Sequence, residues 1–168
     1  MVLRHRTFQP IEDDPRAFRE ALGKFATGVT IVTCHSQIGP LGITANSFAS
    51  VSLDPPLVLW SPARASKRFQ AFETADHFAI HILGKHQHHC CRAFATVGDD
   101  FSEFDWQPSD RNVPLINDCL ARFECERHAV HDGGDHAIIV GRVTAATVSD
   151  GDPLVFSEGE YGQFRRMD

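Results

Sequence analysis

The sequence predicts a mainly β protein with a few helices, arranged as an antiparallel barrel that is closed or nearly closed. Three observations carry this. Stretches rich in β-branched and aromatic residues recur about seven times, against about three helical ones. The breaks between them are short and turn-like, so hairpins predominate over βαβ units. No linker or internal repeat divides the 168 residues, so one domain spans 1–168, with 1–14 as an N-terminal extension.

Asp13-Asp14-Pro15 followed by Phe18, Leu22 and Phe25 reads as a helix capped by Asp14, with one apolar stripe. Gly28 ends it, and Val29 to Cys34 has the β-branched content of a strand. Gly39-Pro40 is a turn signal, pairing that strand with the next in a hairpin. Pro55-Pro56 interrupts ladder pairing before Leu57-Val58-Leu59-Trp60. Ala65 to Ala75 reads as a helix capped by Ser66, with Phe69 and Phe72 inward. His77 to Leu83 alternates, with Phe78, Ile80 and Ile82 on one face and His77, Ala79 and His81 on the other. His86 to Thr96 is helical, and Gly98 to Asp118 is an irregular loop with a functional or dimer-contacting role. Leu120 to Val130 and His136 to Val148 form a long hairpin about the turn Asp132-Gly133-Gly134-Asp135. Leu154-Val155-Phe156 is the last strand, and a polar tail carrying Tyr161 follows.

Composition narrows the function. A net charge of −6 argues against a nucleic-acid partner, which needs a basic face, but leaves room for a small anion held by a few local cations. No apolar run approaches the roughly 20 residues that span a bilayer, and Met1 to Arg6 has no signal-peptide core. No membrane association and a cytoplasmic location are therefore expected. The five cysteines have no CxxC spacing, as for reduced thiols. Thirteen phenylalanines against one tyrosine and two tryptophans point to a dry core or a dimer interface.

Four constellations could carry chemistry. Gly42 to Leu53 is uncharged yet places Thr44, Asn46, Ser47, Ser50 and Ser52 among small and apolar residues. This suits a wall for a flat, polar-edged ring, or equally a strand pair whose hydroxyls bond neighbouring backbone. Arg64, Lys67 and Arg68 surround Ser66 at a helix start, either an anion site or a solvated basic face. His136 at the Gly134-Asp135-His136 turn is a cofactor or substrate contact, or a turn residue facing solvent. His86 and Cys90 share a helix face, but the spacing fits no common zinc pattern, so a polar helix is favoured and no metal is expected. There is no Gly-x-Ser-x-Gly elbow, phosphate-cradling Gly-Lys loop or Rossmann glycine motif. Any catalysis would then belong to a bound cofactor.

Phe25-Ala26-Thr27-Gly28-Val29-Thr30, Gly42-Ile43-Thr44-Ala45-Asn46-Ser47-Phe48, Ser50-Val51-Ser52-Leu53-Asp54-Pro55-Pro56, and Gly134-Asp135-His136 with Gly141 and Val143 occur in this order. From about Phe18 to Phe164 the chain resembles the flavin reductase-like family, which has the FMN-binding split β-barrel. Asp105-Trp106-Gln107-Pro108 and His131 to His136 look most like reductase components of two-component aromatic and steroid-ring monooxygenases. The resemblance implies a homodimer that uses NADH or NADPH to reduce FMN or FAD by hydride transfer, and supplies the reduced flavin to a separate oxygenase. A flavin-binding carrier or sensor, and an oxidase of another small substrate, are the alternatives.

Carried over by motif, Thr44, Ala45, Asn46 and Ser47 line the isoalloxazine ring, with Ser50, Val51 and Ser52 along its other edge and the ribityl chain. Ser66, Lys67 and Arg68 match the phosphate segment, Phe94 a position flanking the flavin, and Tyr161 a C-terminal aromatic near the ring. His136 matches the histidine near the nicotinamide. His81 stands where the family commonly has Asn, a departure that alters nucleotide preference if the position touches flavin or substrate.

Overall fold

The computed structural model describes residues 6–10 and 15–167, so the Asp14 cap and most of the N-terminal extension lie outside the described residues. Helix α1 (Pro15–Gly23) precedes β1 (Thr27–Gly28), β2 (Thr30–Ser36), β3 (Gly39–Ala45), β4 (Ala49–Leu53) and β5 (Pro56–Trp60). Then come α2 (Phe69–Thr74), β6 (His77–Ile82), a 3-10 turn (Lys85–Gln87) and α3 (His88–Thr96). The short strands β7 (Trp106–Pro108) and β8 (Pro114–Ile116), the long pair β9 (Ala121–Gly133) and β10 (His136–Val148), and β11 (Leu154–Ser157) with β12 (Glu160–Gln163) complete the chain. No helix among the described residues is long and apolar enough to cross a membrane.

Seven antiparallel strands form one sheet in the order β3-β2-β6-β9-β10-β5-β4. Its inward side chains, including Val32, Leu41, Val58, Trp60, Phe78, Ile80, Cys125 and Ile139, join one cluster with Phe72 of α2. Strands that far apart in the order share a core only if the sheet curls on itself. The edges β3 and β4 share no ladder, and the barrel is split there.

Both faces of β2 and β6 are buried. Val32, Cys34, Phe78 and Ile80 enter the barrel. Ile31 and Val29 pack on the opposite side with Leu83, Cys90, Cys91 and Phe94, beneath α3. The β7–β8 hairpin covers the rest of that side, placing Val113 and Leu115 on Ala79 and accepting a bond from Thr33 Oγ1 at Pro114 O, 2.5 Å. The segment read as an irregular loop is thus a flap that buries the outer face of the sheet.

Other expectations shift. The apolar stripe of Phe18, Leu22 and Phe25 is exposed, Phe25 by 79%, and α1 buries Ala17 instead. The first hairpin turns at Gln37-Ile38, with Gly39 at φ +106 opening β3. Pro40 fits within β3 because an edge strand leaves half of its N–H groups unbonded. Pro56 pairs with Leu53, so β4 and β5 are a tight hairpin rather than separated strands. The second helix begins at Phe69, because Ser66 Oγ accepts the Arg68 N–H at 3.2 Å in a local turn. The polar tail is β12, paired with β11 through Phe156↔Tyr161.

Candidate functional site

The C-terminal end of β3 forms one wall of a groove. Gly42 lets β3 lie directly on α3, since a Cβ there would stand 2.7 Å from the Phe94 ring. Its N–H donates to Gly98 O at 2.7 Å and its carbonyl accepts from Arg68 Nη1 at 2.9 Å, so residue 42 turns its peptide groups away from β2. The two-residue period of a strand sends those of Thr44 the same way, to the open edge. The opposite wall is β11–β12, where Tyr161 stacks obliquely on Phe156 at 5.2 Å and edge-on to His88 at 4.8 Å.

The resulting groove, about 290 Å³, is lined by Val29, Ile43, Thr44, Ala45, Asn46, Arg68, Ala95, Phe156 and Tyr161. A larger cavity of about 890 Å³ adjoins it between α1 and the β11–β12 turn, lined by Arg19, Lys24, Phe25, Ser47 and Glu158 among others. Asn46 and Phe156 belong to both. These volumes lie in the ordinary range for small-ligand sites, roughly 300–1,000 Å³. Lys24 and Glu158 form an ion pair across the rim, and Glu158 N–H donates to Gly23 O at 2.9 Å.

This groove fits a flavin ring. Val29, Ile43, Ala45 and Phe156 offer apolar faces to a flat aromatic system, while the Thr44 peptide group and the Asn46 amide offer donors and acceptors to a polar ring edge. Asn46 makes no side-chain hydrogen bond to the described residues, so its amide is available to a ligand. The structure therefore brings together Thr44, Ala45, Asn46, Arg68 and Tyr161, with Ser47 in the adjoining cavity.

Other sequence-predicted residues stand elsewhere. Ser47 Oγ accepts the Ser61 N–H at 2.9 Å and donates to Ser61 O at 3.2 Å, fixing the β3–β4 connection. Ser50, Val51 and Ser52 lie on edge strand β4 and line neither cavity, and a register irregularity falls between Ser50 and Ser52. Phe94 is fully buried, packed edge-on against Phe101 at 4.8 Å, and supports the groove from beneath instead of flanking it. His81 is also fully buried and touches no groove. Its Nε2 accepts the Ile116 N–H at 3.0 Å, which leaves Nδ1–H to donate to Ile31 O at 3.0 Å. Burial pushes its pKa down to about 4, partly opposed by the Ile31 hydrogen bond.

Arg68 is half-committed to structure. Nη1 donates to Gly42 O and Phe94 O, at 2.9 and 2.8 Å, and Nη2 to Ala95 O at 3.4 Å. Burial lowers its pKa, against the pull of Asp99. Lys67 is exposed and lines a separate cavity of about 520 Å³ between the β2–β3 turn and α2, which Arg68 also borders. His136 lies at the β9–β10 turn, bridged to Ala63, and outside both groove cavities. Its Nδ1 is 2.7 Å from Asp135 Oδ1, and this contact holds the exposed Asp135 carboxyl below its usual range. The histidines of α3 gather no metal site: no group of three possible ligands occurs among the described residues.

Sequence reasoning missed Phe156, shared by both cavities, and the Lys24–Glu158 pair. Phe156 looked like an ordinary strand residue, and only the return of β12 brings it against β3.

A split antiparallel barrel with such a groove defines a flavin-handling domain, and the comparisons agree. The chain belongs to the family of the flavin reductase like domain, whose model matches residues 22–165. It is 55% identical over 160 residues to the FMN reductase (NADH) SmoA of Agrobacterium fabrum, covering 95% of this chain and 92% of that one. It is 39% identical over 150 residues to the reductase subunit HsaB of a flavin-dependent monooxygenase of Rhodococcus jostii, covering 88% and 77%. The structure of the NADH:FAD oxidoreductase SgcE6 of Streptomyces globisporus superposes with a TM-score of 0.91 at 35% identity, covering 100% of this chain and 96% of that one. The chain spans about half the length of some other curated relatives.

Proposed function

We propose that this protein is an NADH-dependent flavin reductase that transfers hydride to FMN or FAD and supplies the reduced flavin to a separate oxygenase. The observation that carries the reading is the pair of adjoining cavities meeting at Asn46 and Phe156. A ligand in each meets the other across these two side chains, and holding two reactants together is most of what a hydride transfer asks of a protein. The flavin supplies the hydride acceptor. Thr44 and Asn46 orient its polar edge, Val29, Ile43 and Phe156 exclude water from its faces, and Arg19 and Lys24 offer cations to the phosphates of the second ligand. The 55% identical FMN reductase (NADH) favours FMN and NADH.

His136 belongs to this reading as a nicotinamide contact. Its turn packs on Pro62 to Arg64, one residue from Ser61, which is bonded to Ser47 of the larger cavity. Exposed Phe18 and Leu22 on α1, Phe25 just beyond it, and Val51 and Leu53 on β4 suit a homodimer interface.

The test is a steady-state assay of NADH oxidation with FMN and with FAD. Flavin-dependent oxidation is expected, and His136→Ala lowers kcat/KM for NADH roughly tenfold, about 1.4 kcal/mol, with flavin affinity kept. Tight flavin binding without NADH or NADPH oxidation would make the protein a flavin carrier instead.

A further inference from the structure

We infer that Glu158 sets a preference for NADH over NADPH: its carboxylate accepts hydrogen bonds from the ribose hydroxyls of the nucleotide and turns away a 2′-phosphate. The larger cavity is lined by four charged side chains, Arg19 and Glu20 on α1, Lys24 just beyond it, and Glu158 in the β11–β12 turn. Their formal charges cancel. Directed cations can meet the pyrophosphate that both nucleotides share. The 2′-phosphate is the one group in which the nucleotides differ, and it adds about two negative charges at neutral pH. No third cation stands among the described lining residues to receive it.

The backbone fixes where this carboxylate starts. Glu158 and Gly159 form the two-residue turn between β11 and β12, at φ +52 and +87. Such a turn favours Gly, Asn or Asp at both positions, so turn chemistry does not by itself select a glutamate. Glu158 N–H donates to Gly23 O at 2.9 Å and Ser157 Oγ to the same carbonyl at 3.4 Å, which fastens the turn to the end of α1 at the cavity rim. The carboxylate engages Lys24 Nζ, so that ammonium is already answered. An ionised carboxylate only accepts hydrogen bonds: a ribose hydroxyl can donate to it, whereas a phosphate dianion meets it with repulsion alone. The side chains of Lys24 and Glu158 are 73% and 53% exposed, so solvent screens them and the discrimination is roughly tenfold rather than thousandfold. His81, the position that the sequence offered for nucleotide preference, is sealed beneath the flap and cannot take this role.

The inference rests on the reading that the larger cavity receives the nicotinamide nucleotide, and the experiment separates the two. Calorimetric titration of the protein in saturating FMN with NAD+ and with NADP+ gives affinities without turnover, since both partners are oxidised. The wild type binds NAD+ the more tightly. In Glu158→Gln the ratio of Kd for NADP+ to Kd for NAD+ falls roughly tenfold, because the repulsion is gone and Lys24 is released to the phosphate. That change shrinks at high salt. Lys24→Gln moves the ratio the other way, since it leaves the Glu158 charge unanswered. In turnover the same shifts appear in kcat/KM for NADPH against NADH, carried by KM rather than kcat. A latch that only fastened α1 would change both nucleotides alike and leave the ratio where it was. An unmoved ratio in Glu158→Gln, a ratio that falls in both variants, or a wild type that binds the two nucleotides equally would overturn the inference while NADH oxidation stands. A wild type that neither binds nor oxidises either nucleotide would sink the functional reading itself.

Discussion

His81 accepts one hydrogen bond and donates another while wholly shut away from water, a state open only to the neutral ring. The native ring resists protonation until about pH 4, whereas in the unfolded chain it takes up a proton near its ordinary 6.5. Between those values the unfolded state binds the extra proton. His81 therefore contributes its full stability above about pH 6.5 and loses it as the pH falls toward 4. His81→Leu is expected to lower stability by about 2–3 kcal/mol, because Ile31 O and Ile116 N–H lose a buried partner. The variant should also show a flatter pH dependence of its urea midpoint between pH 4 and 6.5 than the wild type. Equal slopes in the two proteins would remove His81 as a source of acid sensitivity. The family resemblance made this ring a candidate ligand contact, while alternation set it only on the face opposite Phe78 and Ile80. What covers that face is the flap at residues 106–116, a partner that local pattern cannot reveal.

At the scale of elements, the packing of α3 on β3 is held by Arg68. Its planar fork reaches the carbonyls of Gly42, Phe94 and Ala95, the last two in the final turns of α3, where a cation also meets the negative end of the helix dipole. A lysine offers one ammonium point and cannot span them. Arg68→Lys should therefore cost about 1–2 kcal/mol by thermal denaturation and also weaken flavin binding. Lys67→Ala, a change at an exposed side chain, should leave the melting temperature unchanged and weaken flavin binding only at low salt. If Arg68→Lys melts like the wild type, the fork does not hold α3 in place. The two neighbours looked equivalent in the sequence, as one basic cluster. The fold assigns one to internal carbonyls and leaves the other to solvent.

The whole molecule leaves unusual apolar surface uncovered. Leu22 is 58% and Leu53 95% exposed, and Phe25 and Phe18 stand on the same helix as Leu22 or just beyond it. Large exposed apolar residues of this kind suit a protein–protein interface. Because Leu22 and Phe25 line the larger cavity, pairing of two chains through α1 would also wall that cavity. Leu22→Arg with Phe25→Arg is expected to convert a dimer into monomers in sedimentation velocity, with at least about tenfold lower kcat/KM for NADH. A wild type that sediments as one chain at micromolar concentration would refute the dimer.

Much of this protein was legible in the residues themselves. Strand content, the long β9–β10 hairpin, α3 and the uncharged β3 end that lines the groove follow from alternation, turn residues and the absence of charge, which are local properties of the chain. The tertiary structure decided what those patterns face. It turned the α1 stripe outward, buried His81 and Phe94, committed Arg68 to carbonyls, made a strand of the segment carrying Tyr161, and set Phe156 between two cavities. The reason is physical: a strand fixes which side chains share a face within a few residues, but the occupant opposite that face comes from elsewhere in the chain. Ile116 meets His81 across 35 positions, and the strands β3 and β12 meet at the groove only after the sheet has curled.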